Sequence, residues 1–446
     1  MPHVPPPQPP AEHTRRVERV EASLTAPGAP YAVVVTERGV PEYADGPRTL
    51  REFVETTWAH GDAPFLVDGE RTCSYGQFFA AASALAVLLR ERYGLRSGDR
   101  AVVATRNVPA WQIAFWAAQL AGIVAVPADA LWTDEEFAHV LNDCGPEVLL
   151  VDGEWLGRAA GWARRTGTRV VLLPGPERAG EETPGLRIER YEEFPAPDPL
   201  AAPPDAEPRP EDDATILYTA DGSGRLRGAV ATHLALAGAA TDSRYHAAVA
   251  ALVRGVFPGQ APAVRLTLPF PRPAAFSALY GAMAVGAALL LAEDLAGAAE
   301  GEAHPLPGSG YGLAETGGGV LVPSDPDRGD GPGRAGRPAP ATEVRIAGPS
   351  GEALPDGAAG ELWLRGQSLF RGYWHDPAAT GAAFGDGGWF RTGDRAVLRE
   401  GGCRSSRARD PYPTHGPVIR PRRAGTHGCV TRPRRARAHG RVTRTR

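Results

Sequence analysis

Beyond residue 49 the chain alternates between two hydrophobic periods. Phe78, Ala82, Leu85 and Leu89 recur at helical spacing and give a helix ending near Arg92 one apolar face. Ser74-Tyr75-Gly76-Gln77 opens that helix as a capping box, hydroxyl and amide side chains satisfying each other's backbone N–H groups. Short apolar runs at 100–104, 123–127, 147–151 and 170–173 predict strands. A helix over 109–120, and one capped by Thr133-Asp134-Glu135-Glu136, fall between them. Strands alternating with helices predict a parallel α/β sheet. Residues 174–213, rich in proline and acid, predict a linker between subdomains, followed by a helix at 234–252 and a strand at 264–268. From Thr342 the segments TEVRIAG and PDGAAGELWLRG alternate with period two between glycine turns, which predicts a small β subdomain or barrel. Residues 1–28 carry proline and charge without an apolar period and are expected to be disordered.

Charge divides this picture. The formal net charge of −4 hides a basic end: residues 403–446 hold thirteen arginines and one acid, net +12, leaving −16 on the rest. An acidic body argues against a nucleic-acid partner, and the tail offers only Tyr412 for base stacking. The chain contains no lysine, so all 48 of its basic residues are arginine. Cys73, Cys144, Cys403 and Cys429 lack the CxxC spacing of a zinc site or a disulfide framework. The proline-rich start has no apolar core of a signal peptide, so the cytoplasm is the expected compartment. The uncharged run 274–292 is long enough for a membrane span, but Gly286 divides it, and a helix followed by a short buried strand is expected instead.

The densest chemical signal is ILYTADGSGRLRGAVATH at 216–233. A β-rich run enters a loop of glycines and hydroxyls, with Thr219, Gly222, Ser223 and Gly224, closed by Arg227-Gly228. Converging backbone N–H groups, hydroxyls and a cation suit a polyphosphate. The GxxxxGK[ST] spacing of a Walker loop is absent. The stretch resembles the phosphate loop of the acyl-adenylate-forming superfamily, YTSGTTGxPKG followed by TH. Tyr218, Thr219, Gly224, Gly228, Thr232 and His233 match; Asp221, Leu226 and Arg227 depart.

Later segments extend the resemblance in the family's order. Gly310-Tyr311-Gly312-Leu313-Ala314-Glu315-Thr316 resembles the YGxTE motif. By that likeness Tyr311 would stack on adenine beside Gly312, and Glu315 would bind Mg2+. Gly360-Glu361-Leu362, Arg365-Gly366 and Gly372-Tyr373-Trp374 resemble GELxxRGxxxxxGYW, a structural motif. Trp389-Phe390-Arg391-Thr392-Gly393-Asp394 resembles WFRTGD, which implies ribose binding by Asp394. The N-terminal half is similar to fatty-acyl and aromatic-acyl CoA ligases. The resemblance implies the large N-terminal domain of such enzymes: two α/β sheet subdomains and a small β-barrel-like one, spanning 29–402. It implies ATP, Mg2+ and coenzyme A as co-reactants and a small-molecule carboxylic acid as substrate. Arg227 and Glu315 would be the catalytic pair; Thr219, Ser223, Gly224, Gly228, Thr232, Tyr311, Gly312 and Asp394 would hold the nucleotide.

Four departures bear on activity. The loop lysine is Arg227, a planar fork and not a compact charge. The family's PLFH reads Pro269-Phe270-Pro271-Arg272. Several dozen residues expected between Glu293 and Tyr311 are reduced to a short stretch, so an acyl pocket would rely on Phe276 and Tyr280. After Gly402 the expected hinge and small domain give way to arginine- and proline-rich sequence, which reads as out-of-frame translation of a GC-rich gene. These departures predict weak or absent catalysis and slow thioester formation. The alternative is a non-catalytic nucleotide-binding remnant or an interaction protein. The acid substrate and the oligomeric state are not encoded in any legible motif.

Overall fold

Both capping boxes start helices where the sequence places them. Ser74 Oγ accepts the Gln77 N–H at 3.2 Å and Gln77 Oε1 accepts the Ser74 N–H at 3.0 Å, beginning the helix Tyr75–Val87. Thr133 and Glu136 do the same for the helix Asp134–Cys144. The computed structural model describes residues 10–175, 185–220, 225–255, 263–266, 268–291, 310–322, 334–399 and 402–405.

A mixed sheet forms the centre. Its order is Gly372–Tyr373, Leu226–Thr232, Asp213–Ala220, Val124–Pro127, Arg100–Ala104, Val148–Val151, Arg169–Leu172, Ile188–Arg190. The strands from Asp213–Ala220 to Ile188–Arg190 run parallel, and the first two pair antiparallel. Alternate residues feed opposite layers. Ala101, Val103, Val148 and Leu150 join the helices Tyr75–Val87 and Pro109–Ala121 in one cluster. Val102, Ala104, Leu149 and Val151 meet Phe137, Val140, Trp155 and Ala159 of the helices Asp134–Cys144 and Gly153–Thr166 in the other. Burial on both faces is what short, continuously apolar strands require.

The second sheet has four strands, in the order Ala263–Leu266, Ala288–Leu291, Pro64–Asp68, Arg71–Ser74. The helix Pro273–Val285 connects the first two. Gly286 ends that helix at φ +69°, a left-handed value, and a Cβ there would lie 2.7 Å from His60 Nδ1. The apolar run is thus a helix and a buried strand, and no described helix is long and apolar enough to cross a membrane.

The third sheet is antiparallel: Tyr311–Leu313, Gly318–Val322, Arg334–Pro338, Gly402–Ser405, Trp389–Arg399, Ala359–Gly366, Thr342–Ala347. Where a barrel is expected, its described strands form an open path with Tyr311–Leu313 and Thr342–Ala347 at the ends.

Three further elements differ from the sequence expectations. Residues Pro10–Thr25, expected to be disordered, form a helix. Val17, Val20 and Leu24 dock on Tyr245, Val249 and Val253 of the long helix His233–Arg254, and Glu21 pairs with Arg337 at 3.1 Å. The expected linker supplies the edge strand Ile188–Arg190, and Arg169 bonds Glu189 at 3.0 Å across it. The arginine-rich tail, read as out-of-frame sequence after Gly402, nevertheless begins within a strand, with Cys403 opposite Leu398. Residues 406–446 lie outside the described residues.

The long helix buries two histidines. Burial pushes His233 down to about 4 and His246 down to about 3. A histidine lowered in the fold but near 6.5 when unfolded takes up its proton only on unfolding, so stability is intact above 6.5 and falls as pH drops toward 4. His246→Phe is expected to recover about 2 kcal/mol of that loss at pH 5, as read by urea denaturation at pH 7 and pH 5. Equal pH dependence in variant and parent would refute the assignment.

Candidate nucleotide site

The strand Asp213–Ala220 and the strand Leu226–Thr232 form a hairpin with Thr219 opposite Arg227 and Tyr218 opposite Gly228. Its tip, with Ser223 and Gly224, lies outside the described residues. Thr219 is half-buried at the mouth. Tyr218 faces inward, its hydroxyl donating to Asp143 Oδ2 at 2.6 Å and its ring meeting Trp132 edge-on. Gly228 is fixed by packing: a Cβ there would lie 2.5 Å from Ile216 Cγ2 and 3.2 Å from Trp374 Cβ. Its carbonyl accepts the Trp374 N–H at 2.7 Å.

The matched Thr-His pair has local duties. Thr232 Oγ1 caps the long helix by accepting the Ala235 N–H at 3.2 Å. His233 is fully buried behind it. Neither side chain is tied to the cluster described next.

Glu315 sits in the 3-10 turn Ala314–Thr316, between the antiparallel strands that place Gly312 opposite Gly319. Thr316 Oγ1 holds the turn, accepting the Leu313 N–H at 2.8 Å and donating to Gly318 O at 2.7 Å. The Glu315 carboxylate is buried, and Tyr373 Oη donates to its Oε1 at 2.8 Å. Burial raises its pKa above the ordinary glutamate range, the Tyr373 bond opposes the rise, and the charge of Asp394 adds to it. Tyr311 Oη donates to Asp394 Oδ2 at 2.8 Å. Burial and the Asp394 charge push that phenol far above its usual range. Asp394 is steadied by Thr392, whose hydroxyl accepts the Asp394 N–H at 3.1 Å and donates to Leu362 O at 2.6 Å. Arg227 closes the group: its guanidinium lies 5.9 Å over the Tyr373 ring, and its Nε is 3.4 Å from Asp376 Oδ2.

The fold therefore links Arg227 to Glu315 through Tyr373, with the Tyr311–Asp394 pair within electrostatic reach of Glu315. The arrangement is three carboxylates, Glu315, Asp376 and Asp394, and two phenols, with the Arg227 guanidinium over one of the phenol rings. A buried carboxylate with one hydroxyl donor is costly unless a cation balances it. Among the described residues no three His, Cys, Asp or Glu side chains converge as a metal cage. Mg2+ needs no such cage, since it keeps several waters and is shared between one or two carboxylates and substrate phosphates. The Glu315 environment fits that use.

Tyr373 and Asp376 are the members that sequence reasoning passes over. Tyr373 lies in a segment legible only as a structural motif; its pairing opposite Ala229 brings it to the site. Asp376 caps the helix Pro377–Ala383 while it meets Arg227. The expected acyl wall, by contrast, is core. Phe276 and Tyr280 are buried among Phe53, Phe115 and Trp116, with ring centroids between 5.4 and 6.3 Å apart. Their side of the helix Pro273–Val285 faces other helices and leaves them no surface for a ligand. Arg272 is paired with Asp129 at 3.1 Å.

Residues 53–304 and 305–374 match the AMP-binding enzyme family. A feruloyl-CoA synthase of Streptomyces sp is 29% identical over 383 residues, spanning 74% of this chain and 72% of its own. A long-chain-fatty-acid–CoA ligase of Yersinia pestis is 24% identical over 434 residues, spanning 79% and 75%. Among solved structures, a fatty acyl CoA synthetase of Mycobacterium tuberculosis superposes with a TM-score of 0.62 at 21% identity. It covers 80% of this chain and 78% of that one, a likeness of fold.

Tyr373→Phe strips Glu315 of its hydroxyl donor. Leaving a buried charged acceptor short of a partner costs about 1–3 kcal/mol. The variant is expected to unfold at lower urea by that amount at pH 7, and to regain part of it at acid pH as Glu315 protonates. A variant as stable as the parent at both pH values would contradict the geometry.

Proposed function

The chain belongs to the AMP-binding enzyme family of adenylate-forming proteins, and we propose that it binds Mg·ATP and activates a carboxylic acid as its acyl-adenylate. The observation that carries this reading is the Tyr373-centred cluster joining Arg227 to Glu315. In the reaction, a carboxylate oxygen attacks the α-phosphorus, the bond to the bridging oxygen breaks, and pyrophosphate leaves. Such phosphoryl chemistry asks the protein for position and charge balance more than for covalent help. Arg227 and the Thr219 hydroxyl would hold the phosphates that leave, with Ser223 and the backbone at Gly224. Tyr311 would offer its ring to adenine, with Gly312 beside it, and Asp394 would accept from the ribose hydroxyls. Glu315 would hold Mg2+, which when bound neutralises charge across the phosphates. The names of the relatives favour a fatty or aromatic acid, with coenzyme A taking the acyl group in a second step.

A second reading is nucleotide binding without turnover. One feature favours it: Arg227, standing where the resemblance has lysine, is engaged by Asp376 at 3.4 Å. Release of pyrophosphate on adding acids separates the two readings.

Titration calorimetry with Mg·ATP tests both. Arg227→Ala and Glu315→Ala are each expected to weaken binding at least about tenfold, near 1.4 kcal/mol. Folded parent protein without affinity for Mg·ATP would overturn the proposal. The raised pKa of Glu315 sets a sign for pH. Its carboxylate protonates at a higher pH than a free glutamate, so Mg·ATP affinity should begin to fall while pH is still above the ordinary glutamate range. Glu315→Gln should flatten that dependence.

A further inference from the structure

We propose that Asp242, which touches none of the residues assigned to the nucleotide, is a positioning residue that sets the Glu315–Tyr373–Arg227 cluster through Ser368. The inference rests on the nucleotide site only for what the positioned atoms do.

Asp242 lies in the middle of the helix His233–Arg254 and is fully buried. Both of its oxygens are used. Tyr43 Oη donates to Oδ1 at 2.6 Å, and Ser368 Oγ donates to Oδ2 at 2.6 Å. The adjacent Gln367 doubles the attachment: its Nε2 donates to Leu234 O at 3.2 Å, and its Oε1 accepts the Tyr43 N–H at 2.9 Å. One turn before Asp242, Gly238 lets the segment approach; a Cβ there would lie 3.0 Å from both Gln367 Cγ and Ser368 Oγ. Residues 43, 234–242 and 367–368 are thus locked at one point.

The site hangs from that point. Two residues past Ser368, the Phe370 N–H donates to Glu315 O at 2.8 Å, and the Arg371 N–H donates to Val230 O at 2.9 Å. Gly372 and Tyr373 then pair with Val230 and Ala229, which aims the Tyr373 hydroxyl at Glu315 and its ring at Arg227. A shift of Ser368 moves all of these atoms together.

Simple stabilisation does not account for a carboxylate here. Burial pushes Asp242 up to about 6 against the pull of the Ser368 and Tyr43 bonds, so its charge is held at a cost. Buried ionic groups are often matched or exceeded in stability by apolar ones, and their best-attested use is to specify one geometry. Two charge-assisted acceptors facing two separate chain segments are such a use.

The test is amide hydrogen exchange at pH 7 on the full chain, with Asp242→Asn, Ser368→Ala and Ser368→Thr, alongside calorimetry with Mg·ATP. Exchange at Phe370 and Arg371 should quicken about tenfold in Asp242→Asn and Ser368→Ala, equivalent to the loss of one charge-assisted bond. Ser368→Thr keeps the hydroxyl and should restore protection. Mg·ATP affinity should follow the same order. Unchanged exchange at these two amides in Asp242→Asn or Ser368→Ala overturns the proposal. So does a uniform quickening over the whole chain, which makes Asp242 a general stabiliser. If exchange responds as expected while the parent protein binds no Mg·ATP, the positioning stands and the nucleotide reading falls.

Discussion

The candidate site depends on one crossing of main chain. Residues 367–374 leave the antiparallel sheet after Gly366, pack on the long helix at Gly238, and end as the edge strand Gly372–Tyr373 of the mixed sheet. Glu315 belongs to one sheet and Arg227 to the other. This strap is hydrogen-bonded to both, at Glu315 O and Val230 O, and it ties the two together beside the direct packing of Ala229 against Leu313 and Ala314. Ordering eight residues costs on the order of 10 kcal/mol of backbone entropy. The side chains of Gln367, Ser368, Arg371, Tyr373 and Trp374, all bonded to the scaffold, and the buried ring of Phe370 hold that order.

How much was legible in the sequence followed the range of the interaction. Capping boxes at Ser74 and Thr133 are satisfied within three residues, and both appear as read. The parallel sheet was legible because its strands are apolar on both faces. The helix Pro10–Thr25 was not: Val17, Val20 and Leu24 form a sparse stripe whose worth comes from Tyr245 and Val249. Phe276 and Tyr280 looked like pocket residues in a long apolar run, yet rings from two other helices claim them. At the site, Arg227, Glu315, Tyr311 and Asp394 stood out by motif, while Tyr373 acquires its place only through a register with Ala229. Thr232 was singled out by motif too, and its hydroxyl is occupied with capping.

A chain without lysine also builds its surface differently. Arg158 lies 4.2 Å over the Trp155 ring and bonds Asp134 at 2.7 Å. Arg169 lies 3.9 Å over Tyr93 while it bonds Glu189. On the antiparallel sheet, Arg345 stacks over Trp389 and Arg391 over Trp363. A guanidinium can stack with its face and donate with its edge at once, which an ammonium cannot. The same habit recurs at the site, where Arg227 lies over the Tyr373 ring and meets a carboxylate at its edge.

The docked helix Pro10–Thr25 has a consequence for synthesis. Arg16 bonds Leu252 O, 236 residues further along. At about 5–20 residues per second, a ribosome needs roughly 10–50 s to deliver that partner. For that interval Tyr31, Val33 and Tyr43 are the members of its cluster already at hand, while the side of the stripe that meets Tyr245, Val249 and Val253 has no long helix to cover it. The helix finds its seat well after it is made, and a nascent chain paused in that window presents the uncovered part of the stripe to chaperones and neighbouring chains alike.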